Sequence, residues 1–310
     1  MAKLTVVSIS HSIDPDGLGS QAILFRYFRE LKLDPIGFFA DYYNFKEVFQ
    51  EAIDLKPNVL IISDIGLNKR VIPEIVESLK NLEARKIWID HHKAPNDLKE
   101  MVIDAVDEFI HDTSVCAAEL VQRRFMPNDE ISKKIALIAH NGDFDIKDRY
   151  ADIFYTLIDY YRYSNDDLQR IRDLFIEGKF EDPKLMDEYL AAYRVFEAER
   201  DRIKNELEII TLANKTVAIG FSHLLPRGKI TKFLSEISDA DILLAIDTTN
   251  FRIGLRSDNT DVARVAEKLG GGGHKHRSGF SYKDALNKEN NFVPEFLDDL
   301  ENAISETIQE

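Results

Sequence analysis

One cysteine, Cys116, stands in a chain of 310 residues. It cannot form an intrachain disulfide, and no cysteine-based metal cluster can be built around it. Long apolar runs are missing too. The longest, such as VLII at Val59–Ile62, fall far short of the roughly 20 residues that a membrane helix needs. Positive charge is in deficit: 40 Lys and Arg face 55 Asp and Glu, a formal net charge of −15. Proteins that track long nucleic acid replace its counterions along a basic groove. Neither a long duplex nor a membrane is therefore an expected partner, whereas a short phosphorylated ligand in a local basic pocket is compatible with this balance. The opening MAKLTVVSIS reads as a strand and lacks the apolar stretch and small-residue cleavage site of a leader. The expectation is a cytoplasmic protein. No repeat and no low-complexity tract interrupts the chain.

What is present is enough for real cores, with 44% hydrophobic and 31% charged residues. Short apolar runs at Leu4–Ile9, Pro35–Ala40, Val59–Ser63 and Lys86–Asp90 alternate with helical patterns at Ser20–Leu31, Lys46–Leu55 and Pro73–Asn81. That order predicts a parallel sheet with helices on its faces. From Asp112 to about Ala213 the pattern is mostly helical. It ends in the long, charged stretch Lys184–Leu212, which suits a connection between lobes or a dimer contact. Strands are predicted again at Val217–Phe221, Ile242–Ile246, Phe251–Leu255 and Ser278–Tyr282, with helices at Asp261–Leu269 and Val293–Ile308. The fold class is α/β in two lobes: a parallel-sheet domain over residues 1–165, a helical linker over 166–213 and a smaller α/β domain over 214–310.

Parallel sheets bind ligands beyond the carboxyl ends of their strands. His11 follows the first apolar run, Asp64 follows VLIIS, and Asp90, His91 and His92 follow KIWI. The turn HSIDPDGLGS adds Asp14 and Asp16, and IAHNGDF adds Asp143, with Asp145, His140 and Asn141 close by. An Asp-Pro-Asp-Gly turn ahead of a helix has an ordinary reading as a turn and N-cap. Adjacent histidines after an aspartate, at an edge that gathers further aspartates, are less ordinary. This pool is rich in oxygen, holds imidazole and has no thiolate, which favours a hard divalent ion such as Mn²⁺ over structural Zn²⁺. It has more donors than one ion takes and suits a pair, a standard arrangement for attack on phosphate esters. A second motif is GGGGHKHRSGF, Gly270–Phe280. A helix-ending glycine explains one or two of those four glycines, and adjacent bare N–H groups can also cradle an anion.

Asp90-His91-His92 in a parallel-sheet lobe, with the His-Asp-Asp turn before it and the GGGH motif after it, resembles the DHH phosphoesterase superfamily in its form with a C-terminal DHHA1 domain. The resemblance runs over nearly the whole chain, in the expected order. It is nearest to the two-lobed group of nanoRNases and phosphodiesterases for linear dinucleotides. It implies one ion on His11, Asp14 and Asp64 and a second on Asp16, Asp64, His91 and Asp143, with Asp64 bridging. Asp90 would orient a histidine and His92 would face the phosphate. Gly271, Gly272, Gly273 and His274 would hold the substrate's phosphates and terminal nucleotide, joined by Arg256. Two departures stand out. The first aspartates follow His11 at three and five residues, where relatives use two and four or four and six. Arg277-Ser278 replaces a common pair of alanines, which leaves Arg277 as either a substrate contact or a solvated residue. Arg227 in HLLPRGKI is a further basic residue of this region.

The expectation is an Mn²⁺-dependent phosphoesterase that releases nucleoside 5′-monophosphates from short oligoribonucleotides or linear dinucleotides. The alternatives are a phosphatase for 3′-phosphoadenosine 5′-phosphate, a cyclic dinucleotide phosphodiesterase, or a non-catalytic nucleotide sensor or replication scaffold. The long charged helix leaves room for a homodimer.

Overall fold

The computed structural model describes residues 4–69, 71–287 and 292–309. It divides the chain into two compact units, Met1–Leu190 and Ala191–Glu310.

The first unit opens with strand β1 (Val6–His11), helix α1 (Pro15–Glu30), β2 (Ile36–Ala40), α2 (Phe45–Asp54), β3 (Val59–Ser63), α3 (Ile72–Asn81), β4 (Arg85–Asp90), α4 (Asn96–Ile103) and β5 (Glu108–His111). It continues through α5 (Ala117–Phe125), α6 (Glu130–Asp143), α7 (Arg149–Tyr160), α8 (Asn165–Glu177) and the start of α9 (Pro183–Asn205). The strands form one parallel sheet in the order β2-β1-β3-β4-β5. The expected parallel α/β lobe is present. Its chain order reverses between β1 and β3, which is where doubly wound sheets open a ligand crevice.

Two buried layers fix the sheet. Val7, Ile9, Leu60, Ile62 and Trp88 pack with Phe45, Phe49, Ile75 and Leu98 from the helices of one face. The Trp88 indole, fully buried, donates to the Ile65 carbonyl at 3.1 Å, which ties the segment after β3 to β4. Helix α1 packs on β1 and against α5, α6 and α8. Short α4 and β5 escape the sequence reading, because EFIH is too brief to register as a strand. Helix α1 starts at Pro15 rather than Ser20, because Asp14 caps it.

The second unit begins within α9 and holds β6 (Glu208–Leu212), β7 (Lys215–Ser222), α10 (Arg227–Ile237), β8 (Ile242–Asp247), β9 (Arg252–Arg256), α11 (Val262–Lys268), β10 (Gly272–His274), β11 (Arg277–Ser281) and α12 (Pro294–Gln309). Its mixed sheet runs β10-β11-β9-β8-β7-β6, in which the β7–β8 pair is parallel. Ile219, Ile253, Leu255 and Phe280 pack with Val265, Phe296 and Leu300. Phe196, Ile203, Ile230 and Leu234 cover Ala218, Leu243 and Ala245 in a separate cluster.

The predicted helix Lys184–Leu212 is corrected here. It stops at Asn205, and Glu208–Leu212 pairs antiparallel with β7. Ala213 and Asn214, at φ +47° and +61°, close the hairpin between paired Leu212 and Lys215. Two positive φ values in a two-residue loop match the right-handed strand twist. Sheet pairing thus overrides the helical look of KNELEIITL. Among the described residues, no helix is long and apolar enough to cross a membrane.

Candidate metal centre

Each donor sits where a strand or helix ends. β1 closes on His11, and the chain turns at once into α1. Asp14 serves both readings of the turn. Its Oδ1 accepts the Gly17 N–H at 2.9 Å as the cap of α1, while its Oδ2 lies 3.2 Å from His11 Nδ1. Asp16 is buried, and its two oxygens accept the N–H groups of Ala117 and Ala118 at 2.8 and 2.6 Å, at the start of α5. Asp64 follows β3 with φ +59°, and its N–H donates to the Ile89 carbonyl at 2.9 Å. Aspartate tolerates this left-handed region better than most residues, and such backbone strain concentrates at functional positions. Asp90 ends β4, is fully buried, and accepts from His92 Nδ1 at 2.8 Å. Asp143 ends α6.

These side chains converge. Asp64 Oδ2 is 3.7 Å from His11 Nδ1, and Asp64 Oδ1 is 3.4 Å from His91 Nε2 and 3.9 Å from His92 Nδ1. His91 Nε2 is 3.5 Å from Asp16 Oδ2, and its Nδ1 is 3.7 Å from Asp143 Oδ2. Three sets of donors could each hold an ion: His11-Asp14-Asp64, Asp16-His91-Asp143 and Asp64-His91-His92, each with ligand atoms within 4.8 Å of one another. Every residue named from sequence as a metal ligand lies in this cluster, and Asp64 is shared. Asp145, at φ +53°, is in none of the sets. His140 turns instead to Glu119, with Nδ1 2.7 Å from Oε2. The same Glu119 oxygen accepts the Cys116 N–H at the start of α5, so His140 supports the helix end that grips Asp16. Asn141 lies beside it on α6.

The electrostatics call for cations. Burial opposes ionisation of Asp14, yet the His11 imidazole beside it brings the carboxyl down to about 2. Burial likewise opposes a charge on His11, but Asp14 and Asp64 hold its pKa well above the usual imidazole value. Burial also opposes protonation of His91, and Asp64, Asp16 and Asp143 nonetheless push it up to about 9. Asp16 is driven well above the carboxylate range by burial and by Asp64 and Asp14, and Asp143 is raised chiefly by burial. Aspartates and imidazoles thus compete for protons in a space that water reaches poorly. Buried His11 Nε2, His91 Nε2, Asp64 Oδ2 and Asp90 Oδ2 have no hydrogen-bond partner among the described residues. Buried polar atoms are normally satisfied. Orphaned imidazole nitrogens beside orphaned carboxylate oxygens form a hard donor set that fits divalent cations.

Some members of the site have no counterpart in the sequence reading. Tyr42, just past β2, lies edge-on to His11 and His92, with ring centroids 5.4 and 6.3 Å away. The strand-end rule that found Asp64 also points to ADYY. His111, the last residue of β5, lies with Nε2 2.8 Å from the His92 carbonyl and was lost with its strand. Tyr155 on α7 feels the charges of Asp14 and Asp143, and its hydroxyl pKa is raised chiefly by burial. A helical tyrosine carries no local signal of this.

In the second unit the structure changes the meaning of the glycines. Gly270 has φ +78°, its N–H bonds to Glu267 O, and the Gly271 N–H bonds to Ala266 O at 2.7 Å, a Schellman close to α11. A Cβ at Gly271 would collide with the Gly279 carbonyl, and one at Gly273 would press on Ser278. Backbone geometry therefore accounts for three of the run, more than the one or two expected. A Cβ would meet nothing at Gly272, as at Gly270, but Gly272 does not have the positive φ of Gly270. Gly272–His274 is an edge strand, not a free loop. His274 pairs across the sheet with Arg277, and Arg277 pairs with Arg256. His276 Nδ1 is 3.0 Å from the Ser257 carbonyl.

Residues 5–155 match the DHH family, N-terminal domain. The matched span runs from β1 into α7 and holds every residue of the metal cluster. The bifunctional oligoribonuclease and PAP phosphatase NrnA of Mycoplasma genitalium is 26% identical over 313 residues, covering 88% of this chain and 87% of that protein. RecJ of Thermus thermophilus, solved in complex with Mn²⁺, superposes with a TM-score of 0.63 at 13% identity, over 97% of this chain and 52% of that one. An exopolyphosphatase-related protein of Bacteroides fragilis gives 0.54 at 17% identity, over 98% and 92%. At these identities the two solved structures establish likeness of fold.

Proposed function

We propose that this DHH-family hydrolase is an Mn²⁺-dependent phosphoesterase that cleaves short oligoribonucleotides or linear dinucleotides to nucleoside 5′-monophosphates in the cytoplasm. The observation that carries the reading is the buried cluster of His11, Asp14, Asp16, Asp64, His91 and Asp143, whose orphaned nitrogen and oxygen atoms need divalent cations. The activity named for the Mycoplasma relative agrees with it, and the acidic exterior favours short substrates.

His11, Asp14 and Asp64 would hold one ion, and Asp16, Asp64, His91 and Asp143 the other. Bound there, such ions supply a low-pKa water and neutralise phosphoryl charge. The chain's own residues prepare the site. The start of α5 clamps Asp16 through two N–H bonds, so its carboxylate cannot swing away. Asp90 accepts the Nδ1 proton of His92 and fixes its tautomer, leaving Nε2 for a phosphoryl or leaving-group oxygen. Asp90 and His92 are therefore the residues to which we assign catalytic support. Arg256, Gly271, Gly272, Gly273, His274 and Arg277 are assigned to the substrate. The functional division follows as 1–165 for the metal chemistry, 166–213 as connection and 214–310 for the nucleotide.

The name of the Mycoplasma relative also favours a second activity, on 3′-phosphoadenosine 5′-phosphate. One assay tests both readings. Labelled RNAs of graded length, matched DNA, pApA, cyclic di-AMP, the bisphosphate and pyrophosphate are offered with Mn²⁺, alongside His91→Ala. Monophosphates from the shortest RNAs, lost in the variant, are expected. Turnover of the bisphosphate alone would replace the leading reading with the second, and no turnover of any substrate would overturn both.

A further inference from the structure

Asp16 and Asp143 are assigned to the same ion, yet they are held very differently. Both oxygens of Asp16 are clamped by the Ala117 and Ala118 N–H groups at the start of α5. Among the described residues Asp143 has one ion-pair partner, His91, whose Nδ1 stands 3.7 Å from Oδ2. Asp143 is also the last residue of α6, and helix ends fray unless they are tied down. The place of this donor therefore depends on what fixes the last turn of its helix.

His140 does that. Its carbonyl accepts the Phe144 N–H at 3.0 Å, which closes the turn that carries Asp143. Its ring rests against Phe144, with centroids 4.6 Å apart, and its Nδ1 lies 2.7 Å from Glu119 Oε2 on the neighbouring helix. The same oxygen accepts the Cys116 N–H at 3.1 Å, next to the two N–H groups that clamp Asp16. One carboxylate oxygen thus joins the start of α5 to the end of α6. A capping box accounts for the Cys116 bond. It does not call for an imidazole from another helix on the capping oxygen. The two side chains are only 29% and 18% accessible, and hydrogen bonds to a carboxylate are among the stronger ones. The other Glu119 oxygen takes exposed Arg123 at 3.1 Å, one turn along the same helix, and spans nothing.

We infer that Glu119 and His140 form a latch that sets the spacing of Asp16 and Asp143, which makes them positioning residues for one of the two ions and not for the other. His11 and Asp14, assigned to the first ion, stand at the end of β1 and the cap of α1, and no hydrogen bond of the latch reaches them. The inference rests on the two-ion assignment made above, but not on the identity of the substrate.

The test is a titration of the metal-free, full-length protein with Mn²⁺, in which the EPR signal reads the free ion and elemental analysis the bound one. It needs no turnover. Wild type is expected to take two ions. His140→Phe keeps an aromatic ring against Phe144 and removes the N–H. One ion should then bind about 10–100-fold more weakly, the usual scale for outer partners of metal ligands, while the other keeps its wild-type affinity. His140→Asn, whose amide nitrogen stands close to the place of Nδ1, should restore part of the loss. Glu119→Gln keeps a cap for the Cys116 N–H but loses the carboxylate. It should resemble His140→Phe, and combining the two should add little, as for residues that act as one unit. Arg123→Ala should bind both ions as wild type does. Equal weakening of both ions in His140→Phe, or wild-type binding of both, overturns the latch, and so does a single bound ion in wild type. Selective weakening of one ion in a protein that cleaves none of the offered nucleotides overturns the phosphoesterase reading and leaves the latch standing.

Discussion

The two units treat their charged side chains in opposite ways. The first buries its polar atoms, crowds acids together and leaves donors unsatisfied at strand ends, so its charges are frustrated until cations enter. The second sets Arg256 opposite Arg277 with no carboxylate partner among the described residues and uses its glycines for backbone geometry. Chemistry needs desolvated, fixed charge, because electrostatic interactions strengthen away from water. Recognition of a mobile, solvated phosphate needs donors that can be reached. The difference is visible in exposure: Asp16 and Asp64 are 1% accessible, whereas His274 and Arg277 are exposed.

The comparison breaks first at Asp64. Asp64→Asn keeps a residue that accepts positive φ, so the fold should persist while the shared donor loses its charge. Turnover of pApA is expected to fall roughly a thousandfold or more, with bound Mn²⁺, measured by elemental analysis, reduced as well. Full activity in this variant would remove the bridging role. A smaller loss is expected for Asp90→Asn. It leaves the His92 imidazole without its carboxylate, and outer partners of this kind are worth about 10–100-fold. The drop should appear in kcat with metal content retained.

The glycines sharpen the contrast in another observable. Gly273→Ala forces a side chain onto Ser278 at φ +148° and should lower stability by about 1–3 kcal/mol. Gly272→Ala meets nothing and should change stability by no more than about 0.5 kcal/mol. Thermal melts of the pair decide whether backbone geometry explains the run. If Gly272→Ala nevertheless weakens pApA binding, that glycine serves the ligand.

The smallest effect expected is a pH dependence at the N-terminal end of α6, opposite the end that carries Asp143. Asp129 is pushed up by burial, but Arg26 and Ser132 bonded to it bring its pKa below the ordinary carboxylate value. A depressed carboxyl stabilises the fold above its unfolded pKa, near 4, and loses that contribution as pH falls through the lower folded value. Melting curves of wild type and Asp129→Asn should therefore differ at pH 7 and converge in the acid range below about pH 4. A difference that grows on acidification would contradict the ion pair.

Much of the catalytic edge was written in the sequence. Apolar runs of β-branched residues set parallel strands, a parallel strand points its last residue to one edge, and His11, Asp64 and Asp90-His91-His92 stand at those positions. Local periodicity is enough for that. Tyr42 stood at the same kind of position and was legible by the same rule. His111 was not, because a four-residue strand is too short to show a period. Tyr155 and the clamp of α5 on Asp16 join residues far apart in sequence, which pattern reading cannot pair. Nor could it separate the β6 strand from the helix before it, since an edge strand is decided by the partner it finds.

By itself, then, the sequence determined the α/β order, the exclusion of an intrachain disulfide, and the identity of the buried donors, because each follows from composition or from short-range alternation. Tertiary structure alone decided what the glycines mean and where the arginines stand. Cross-strand register places Gly254 opposite Gly279 and Arg256 opposite Arg277, and the register of antiparallel strands is fixed by packing on both faces of the sheet rather than by the residues that the register brings together.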